Sequence, residues 1–292
     1  RISKLRNTFK EERLMAKYLP IAADHFIVQR DSINSKTILA GYPWFLDWGR
    51  DTMIAFNGLT LSTGRFDDAK EILKSFVLYE KDGLIPNMFP SNQGKPLYNT
   101  VDASLWFVHA TYSYLLYSNH EESTAFVEKE IYPYLKKIIK AYKEGTHFSI
   151  HMEEDSLIWA GSGLDQVTWM DVRVNDIVVT PRHGKPVEIN ALWYNALKIM
   201  ACLEQKFENG QKEGYEELAE KVKISFNKAF WNEADGCLYD VVDEKGGDSS
   251  IRPNQIWAVS LPFTMLPKEK EKSVVRKVFE DLYTPYGLRS LT

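Results

Sequence analysis

Apolar residues return every three to four positions along most of this 292-residue chain, and that period commits it to helices rather than strands. Phe66, Ala69, Ile72/Leu73 and Phe76 make one stripe, and Val127, Ile131, Tyr134/Leu135, Ile138 and Tyr142 another. Ile189, Leu192/Trp193, Ala196/Leu197, Met200 and Leu203 form a third, followed by Tyr215, Leu218/Ala219, Val222, Phe226 and Ala229/Phe230. The last runs through Val274/Val275, Val278/Phe279 and Leu282. Ser123 and Pro267 read as helix starts, and Gly64, Gly145 and Gly210 as stops.

Two kinds of helix alternate. Those around Phe66–Lys81, Ser123–Glu144, Gly214–Trp231 and Lys268–Tyr283 carry Lys/Glu-rich outer faces, whereas those around Thr52–Leu61, Val101–Tyr117, Val187–Leu203 and Asn254–Leu261 are apolar nearly all round. A helix apolar on every side has to be buried. Buried then exposed, four times over, predicts an all-α fold of helical hairpins in an inner and an outer ring, an α/α toroid. An α-solenoid would need a fixed-period repeat, and none is visible. Phe148–Trp159 alternates, turns through polar residues and returns, so a small β-hairpin insertion is expected there. From Gly161 to Pro186 no period holds, which predicts a long loop of the kind usually kept for function.

Each buried helix comes after an irregular segment rich in aromatic or charged residues: Tyr42–Asp51, Pro86–Asp102, Asp165–Glu188 and Gly247–Asn254. In a toroid these four segments meet at one end and line a concave site. The first contains Gly41-Tyr42-Pro43-Trp44-Phe45-Leu46-Asp47-Trp48-Gly49-Arg50-Asp51-Thr52. Indole faces such as those of Trp44 and Trp48 pack against the C–H faces of a polyhydroxylated ring, and an Arg50/Asp51 pair binds its hydroxyls. The alternative is a buried ion pair wedged among core aromatics. The 13% aromatic content, with 8 Trp, suits either.

In Thr168-Trp169-Met170-Asp171-Val172-Arg173 one carboxyl sits among Trp, Met and Val, the partly apolar setting that a general acid needs. A loop salt bridge to Arg173 is the plainer reading. Asp165 and Asp176 are in less apolar company and could be turn residues. Glu188 opens a buried helix, where a carboxylate is favoured electrostatically whatever its function, so capping and substrate contact both stay open. Asn254 and Gln255 pose the same choice, Asp102 reads as a cap, and His109 as a core histidine. His183 is placed in the charged loop, within reach of the site. No His/Cys/Asp cluster has metal-ligand spacing, and no Gly-rich phosphate cradle or nucleophile elbow occurs.

A net charge of −4 argues against a nucleic-acid surface. Two cysteines cannot build a disulfide framework, and no spanning apolar run or signal peptide is present. These features favour the cytoplasm, although the chain opens at Arg1 rather than Met.

The long motifs at Gly41–Thr52 and Thr168–Arg173, with Pro181-Arg182-His183-Gly184-Lys185-Pro186-Val187-Glu188-Ile189-Asn190-Ala191-Leu192-Trp193 and Arg252-Pro253-Asn254-Gln255-Ile256-Trp257-Ala258, resemble the glucosidase domain of glycogen debranching enzymes. The motifs occur in the family's order from residue 41 onward. The resemblance implies an inverting, exo-acting amylo-α-1,6-glucosidase without cofactor or metal, on a six-hairpin α/α barrel related to glucoamylases. Its substrate would be a branched α-glucan, glycogen or limit dextrin, from which it removes the single glucose stub at a branch. Carried over by position, Asp171 matches the general acid. Trp48, Arg50 and Asp51 match the segment that holds the nonreducing glucose, and Trp169 matches the aromatic beside the acid. Glu188 and Asn254 fall in family motifs near the sugar.

The family's second catalytic carboxylate lies further toward the C-terminus and has no matching motif here; Glu188 as an in-chain base is the weaker alternative. A six-hairpin barrel also has twelve helices, more than the periodic stretches supply. Residues 1–292 are therefore expected to be one α/α-barrel catalytic domain cut at both ends. The rival readings are a noncatalytic carbohydrate-binding fragment without the second carboxylate, and another α/α-barrel hydrolase of glucoamylase or trehalase type.

Overall fold

In the computed structural model, which describes residues 14–89 and 95–292, helices dominate and the sheets are small. The chain clusters into two units, Arg1–Tyr98 with Trp106–Lys137 and Asn99–Leu105 with Ile138–Thr292. Part of the expected entry segment Pro86–Asp102 falls on residues 90–94, outside the described residues.

In the first unit, α1 (Leu14–Phe26) leads into a hairpin of β1 (Ile27–Arg30) and β2 (Ser35–Ile38), with Ile27 opposite Ile38. The turn closes on Asn34 in the left-handed region at φ 48°, a conformation that Asn tolerates well. Then come α2 (Gly49–Phe56), a π turn at Asn57–Leu61 and α3 (Phe66–Leu78). The expected all-round burial of Thr52–Leu61 does not hold. Thr52, Met53, Phe56, Thr60 and Leu61 are buried, while Ile54 is 43% exposed. Ile54 and Gly58 lie four residues apart on one outward face, so one stripe is buried instead of the whole circumference. α3 ends at Leu78, short of Lys81, where Tyr79 leaves the helical region at φ −106°, ψ 8°.

α4 (Ala103–Ser118) fits its largely apolar sequence: only Leu116 and Tyr117 are exposed. The single helix expected from Ser123 to Glu144 is three pieces, α5 (Glu121–Phe126), a π turn at Val127–Ile131 and α6 (Tyr132–Glu144). Pro133 explains the break. Its ring has no N–H to donate and crowds the carbonyl four residues back, and a widened turn just before it relieves both problems. Ser123 lies inside α5, and His120 occupies the cap position without a side-chain bond.

The second unit is built on α7 (Val187–Phe207), buried along most of its length, and α8 (Lys212–Ala229) packed against it. Tyr142 stacks on Trp193 with centroids 6.1 Å apart, and Phe226 on Phe230 at 4.5 Å. The expected hairpin is present as β3 (His151–Met152) with β4 (Ile158–Trp159). The long loop after Gly161 is not structureless. It holds a second hairpin, β5 (Arg173–Val174) with β6 (Ile177–Val178), turning on Asn175 at φ 53°. Its last residues, β7 (Lys185–Pro186), pair with β10 (Val241–Asp243), which also pairs with β11 (Gly246–Gly247). Between them β8 (Trp231–Asn232) pairs with β9 (Cys237–Leu238).

The inner helix expected over Asn254–Leu261 shrinks to a 3-10 turn, Pro253–Ile256, and α9 (Trp257–Ser260). Leu261 precedes Pro262 and is extended (ψ 158°), because a residue before proline is disfavoured in the helical region. α10 (Lys268–Leu282) starts after Pro267 as expected.

Candidate active site

The start of α7 is where the second unit gathers its charge. Both oxygens of Glu188 accept from Arg182, through Nη1 and through Nη2 at 2.6 Å. The same guanidinium donates to Asp240, from Nε to Oδ2 at 2.8 Å and from Nη2 to Oδ1 at 3.1 Å. Arg252 adds a second cation, its Nε 3.6 Å from Asp240 Oδ2. Glu188 and Asp240 are 3% and 2% exposed and Arg182 4%, so two carboxylates and two guanidiniums balance in a setting almost shut to water. Burial pulls Arg182 toward deprotonation, but the charges of Glu188 and Asp240 outweigh it and hold the guanidinium charged. Burial raises the Asp240 carboxyl above the usual carboxylate range against the pull of Arg182, and the charge of Glu188 adds to the rise. The Asp240 carbonyl also accepts the first amide of α7, Val187 N–H, at 3.0 Å, satisfying a donor that a helix start leaves open.

From this cluster one line of hydrogen bonds runs outward. Asn254 Nδ2 donates to Asp240 Oδ1 at 2.7 Å, and Asn254 Oδ1 accepts the indole N–H of Trp169 at 2.7 Å. Met170 Sδ lies 3.8 Å from Asn254 Nδ2. Asn254 is 2% exposed, but Trp169 is 40% exposed. An indole anchored at its nitrogen and still partly exposed is suited to contact a ligand. Asp171, two residues on and half-buried, stands where the chain enters β5. Gln166 Nε2 donates to the Val172 carbonyl at 2.5 Å and ties this segment back on itself.

The rest of the α7 motif holds the scaffold. Asn190 bonds Ile158 N–H at 2.7 Å and the Ile158 carbonyl at 3.1 Å, Trp193 Nε1 donates to Ser156, and Asn195 bonds the Phe263 backbone in both directions. His183 Nε2 lies 2.7 Å from the Asp165 carbonyl. Asp165 accepts from Ser162 N–H and so is a turn residue, and Asp176 is exposed in the β5–β6 turn. His183 also borders a polar surface cavity of about 270 Å³ with Pro181, Asp243, Lys245 and Asp248. Among the described residues no group of three or more His, Cys, Asp or Glu could hold a metal ion. Cys237 is a free, buried thiol, and no described helix is long and apolar enough to cross a membrane.

In the first unit, the aromatic motif is held at its acidic centre. Asp47 is fully buried and pairs with Arg30 at 2.8 Å. Burial raises its carboxyl, and Arg30 opposes the rise. Trp48 bridges to Met88, and Gly49 N–H bonds the Asn87 carbonyl at 2.7 Å. A Cβ at Gly49 would stand 2.2 Å from the Pro86 carbonyl oxygen, so only glycine lets α2 begin there. Asp47 thus takes its cation from Arg30, outside the motif, while Arg50 is buried and Asp51 exposed in the first turn of α2. Trp44 is 84% exposed.

The structure thus brings Trp169, Glu188 and Asn254 into one network and supplies its two central members, Arg182 and Asp240, which the sequence reading did not single out. The available signal was a lone Asp240 within the apolar run Cys237–Val242, since a charge in such a run must find a partner.

Residues 21–292 match the family described as amylo-alpha-1,6-glucosidase. The chain belongs to that family. It is 26% identical over 343 aligned residues to the glycogen debranching enzyme of Saccharomyces cerevisiae, spanning 88% of this chain but only 22% of the yeast protein. Among solved structures, a wild-type glycosidase superposes with TM-score 0.62 at 12% identity, covering 99% of this chain and 73% of its own. A rhamnosidase from Klebsiella oxytoca with rhamnose bound gives 0.53 at 15%, over 80% of this chain and 41% of its own. At such identities the likeness is one of fold.

Proposed function

We propose that the chain is the catalytic domain, over residues 1–292, of an inverting, exo-acting α-1,6-glucosidase that removes single glucose stubs from glycogen or limit dextrin. In this reading its helices belong to an α/α toroid and it works in the cytoplasm. Asp171 protonates the departing glycosidic oxygen, Trp169 supports the sugar ring beside it, and Glu188 and Asn254 hold that neighbourhood. Trp44, Trp48, Arg50 and Asp51 bind the nonreducing glucose. The observation that carries the reading is the anchored, half-open indole of Trp169 two residues from Asp171, in a chain of this family. The similarity to the yeast glycogen debranching enzyme and to the fold of a glycosidase variant in complex with glucose agrees with it.

An inverting mechanism uses a second carboxylate to activate water from the face opposite the leaving group. The test is to give the native polypeptide that carries this chain a dextrin with single-glucose stubs and follow the first product by NMR. β-Glucose is expected from the α-linked stub. Release of α-glucose, or binding with no glucose released, would contradict the proposal.

A further inference from the structure

The hydrogen bonds around Asp240 have a direction. Its two oxygens take three N–H groups, two from Arg182 and one from Asn254, as an ionised carboxylate does. An amide has one donating end and one accepting end. With Nδ2 of Asn254 committed to Asp240, its Oδ1 is left facing Trp169, and an indole nitrogen can only donate. Glu188 takes the remaining edge of Arg182 and fixes the other end of the line. Along the line from Arg182 through Asp240 and Asn254 to Trp169 each donor meets an acceptor, and reversing the Asn254 amide would set donor against donor at Trp169.

We infer that Asp240 is a positioning residue: it fixes the Asn254 amide and, through it, the indole of Trp169 beside Asp171. The inference rests on the reading of Trp169 as part of the glucose site. Packing alone does not explain where this ring sits. Trp193 is fully buried, while Trp169 is 40% exposed and has its indole nitrogen on Asn254.

The reciprocal swap tests the polarity. In Asp240→Asn the new amide must turn its NH₂ toward Arg182 or toward Asn254, and either way a donor faces a donor. In Asn254→Asp two carboxylates face each other. With both changes together, the amide at 240 accepts from Arg182 Nε and donates to the carboxylate at 254, which accepts from Trp169; Arg182 Nη2 gives up its bond to Oδ1 but keeps Glu188 and the backbone carbonyl of residue 240. Each variant is made in the native polypeptide with and without Trp169→Phe, so that the difference spectrum isolates the emission of Trp169.

Each single change is expected to shift that spectrum and to lower kcat at least about tenfold, with KM moving less. The swap should bring both back to within about threefold. In the Trp169→Phe background Asp240→Asn should cost less than about twofold further, because coupled residues do not add. If a single variant does not fold, recovery of folding by the swap counts for the same polarity. An unchanged spectrum in Asp240→Asn, or a swap no better than its parents, would overturn the inference. Unchanged kcat in Trp169→Phe would instead overturn the glucose-site reading, while the emission still decides the link from Asp240 to Trp169.

Discussion

Trp169 donates its indole N–H to the side-chain oxygen of Asn254 at 2.7 Å, across 85 positions of sequence. A residue in the irregular segment before β5 is therefore held by the first turn after Pro253, and the segment around Asp171 depends on tertiary structure for its shape. The charges that hold Asn254 in turn lie at the start of α7.

Arg182 is the hub of that arrangement, and lysine cannot replace it. A guanidinium serves Glu188 and Asp240 along separate edges, whereas an ammonium is a point charge without that fork. Arg182→Lys should leave one buried carboxylate poorly paired and cost about 3–5 kcal/mol. Urea unfolding would read this as a lower midpoint at constant slope. A loss under about 1 kcal/mol, the range of an exposed pair, would show that the cluster is more open to water than its burial indicates.

Gly49 sets where α2 begins and so where Arg50 and Asp51 stand. Its Cβ position lies 2.2 Å from a backbone oxygen, which cannot swing aside as a side chain can. Gly49→Ala should destabilise by roughly 1–3 kcal/mol, the usual cost of overpacking, despite alanine's better helix propensity. Thermal melts would show it directly. A raised melting temperature would mean that the Pro86 segment yields freely.

The long, largely apolar helices were legible from period alone: α4 and α7 are buried along most of their length. What the period could not reveal was local. Pro133 with the π turn before it, and Leu261 extended ahead of Pro262, each result from one residue acting on its neighbours' backbone, and Ile54 simply falls on the exposed face of α2. Trp169, Glu188 and Asn254 stood out by motif. Arg182 and Asp240 did not, because their meaning is the pairing of β7 with β10, and a two-residue strand leaves almost no periodic trace. The hairpin at Arg173–Val178 was missed for the same reason.

His109 gives a pH prediction with a definite sign. Burial lowers its pKa from 6.5 to about 4, and its ring meets Trp106 edge-on at 5.6 Å. Between those values the unfolded chain binds a proton that the folded chain does not. Stability is thus full above about pH 6.5 and falls as the pH drops toward 4, by about 3 kcal/mol. Denaturant melts across pH 4–7 should show a shallower acid slope in His109→Gln than in the parent. Parallel slopes would mean that the folded histidine accepts its proton near the usual pH.

The most direct test of the account is the proton that Asp171 is assigned to deliver. Asp171→Asn in the native polypeptide should slow glucose release from a branch-stub dextrin by about 10²–10⁴-fold, the range of general acid catalysis. The same variant should keep most of its rate on α-glucosyl fluoride, whose leaving group departs without a proton. Equal losses on both substrates, or near-normal turnover of the dextrin, would contradict Asp171 as the acid.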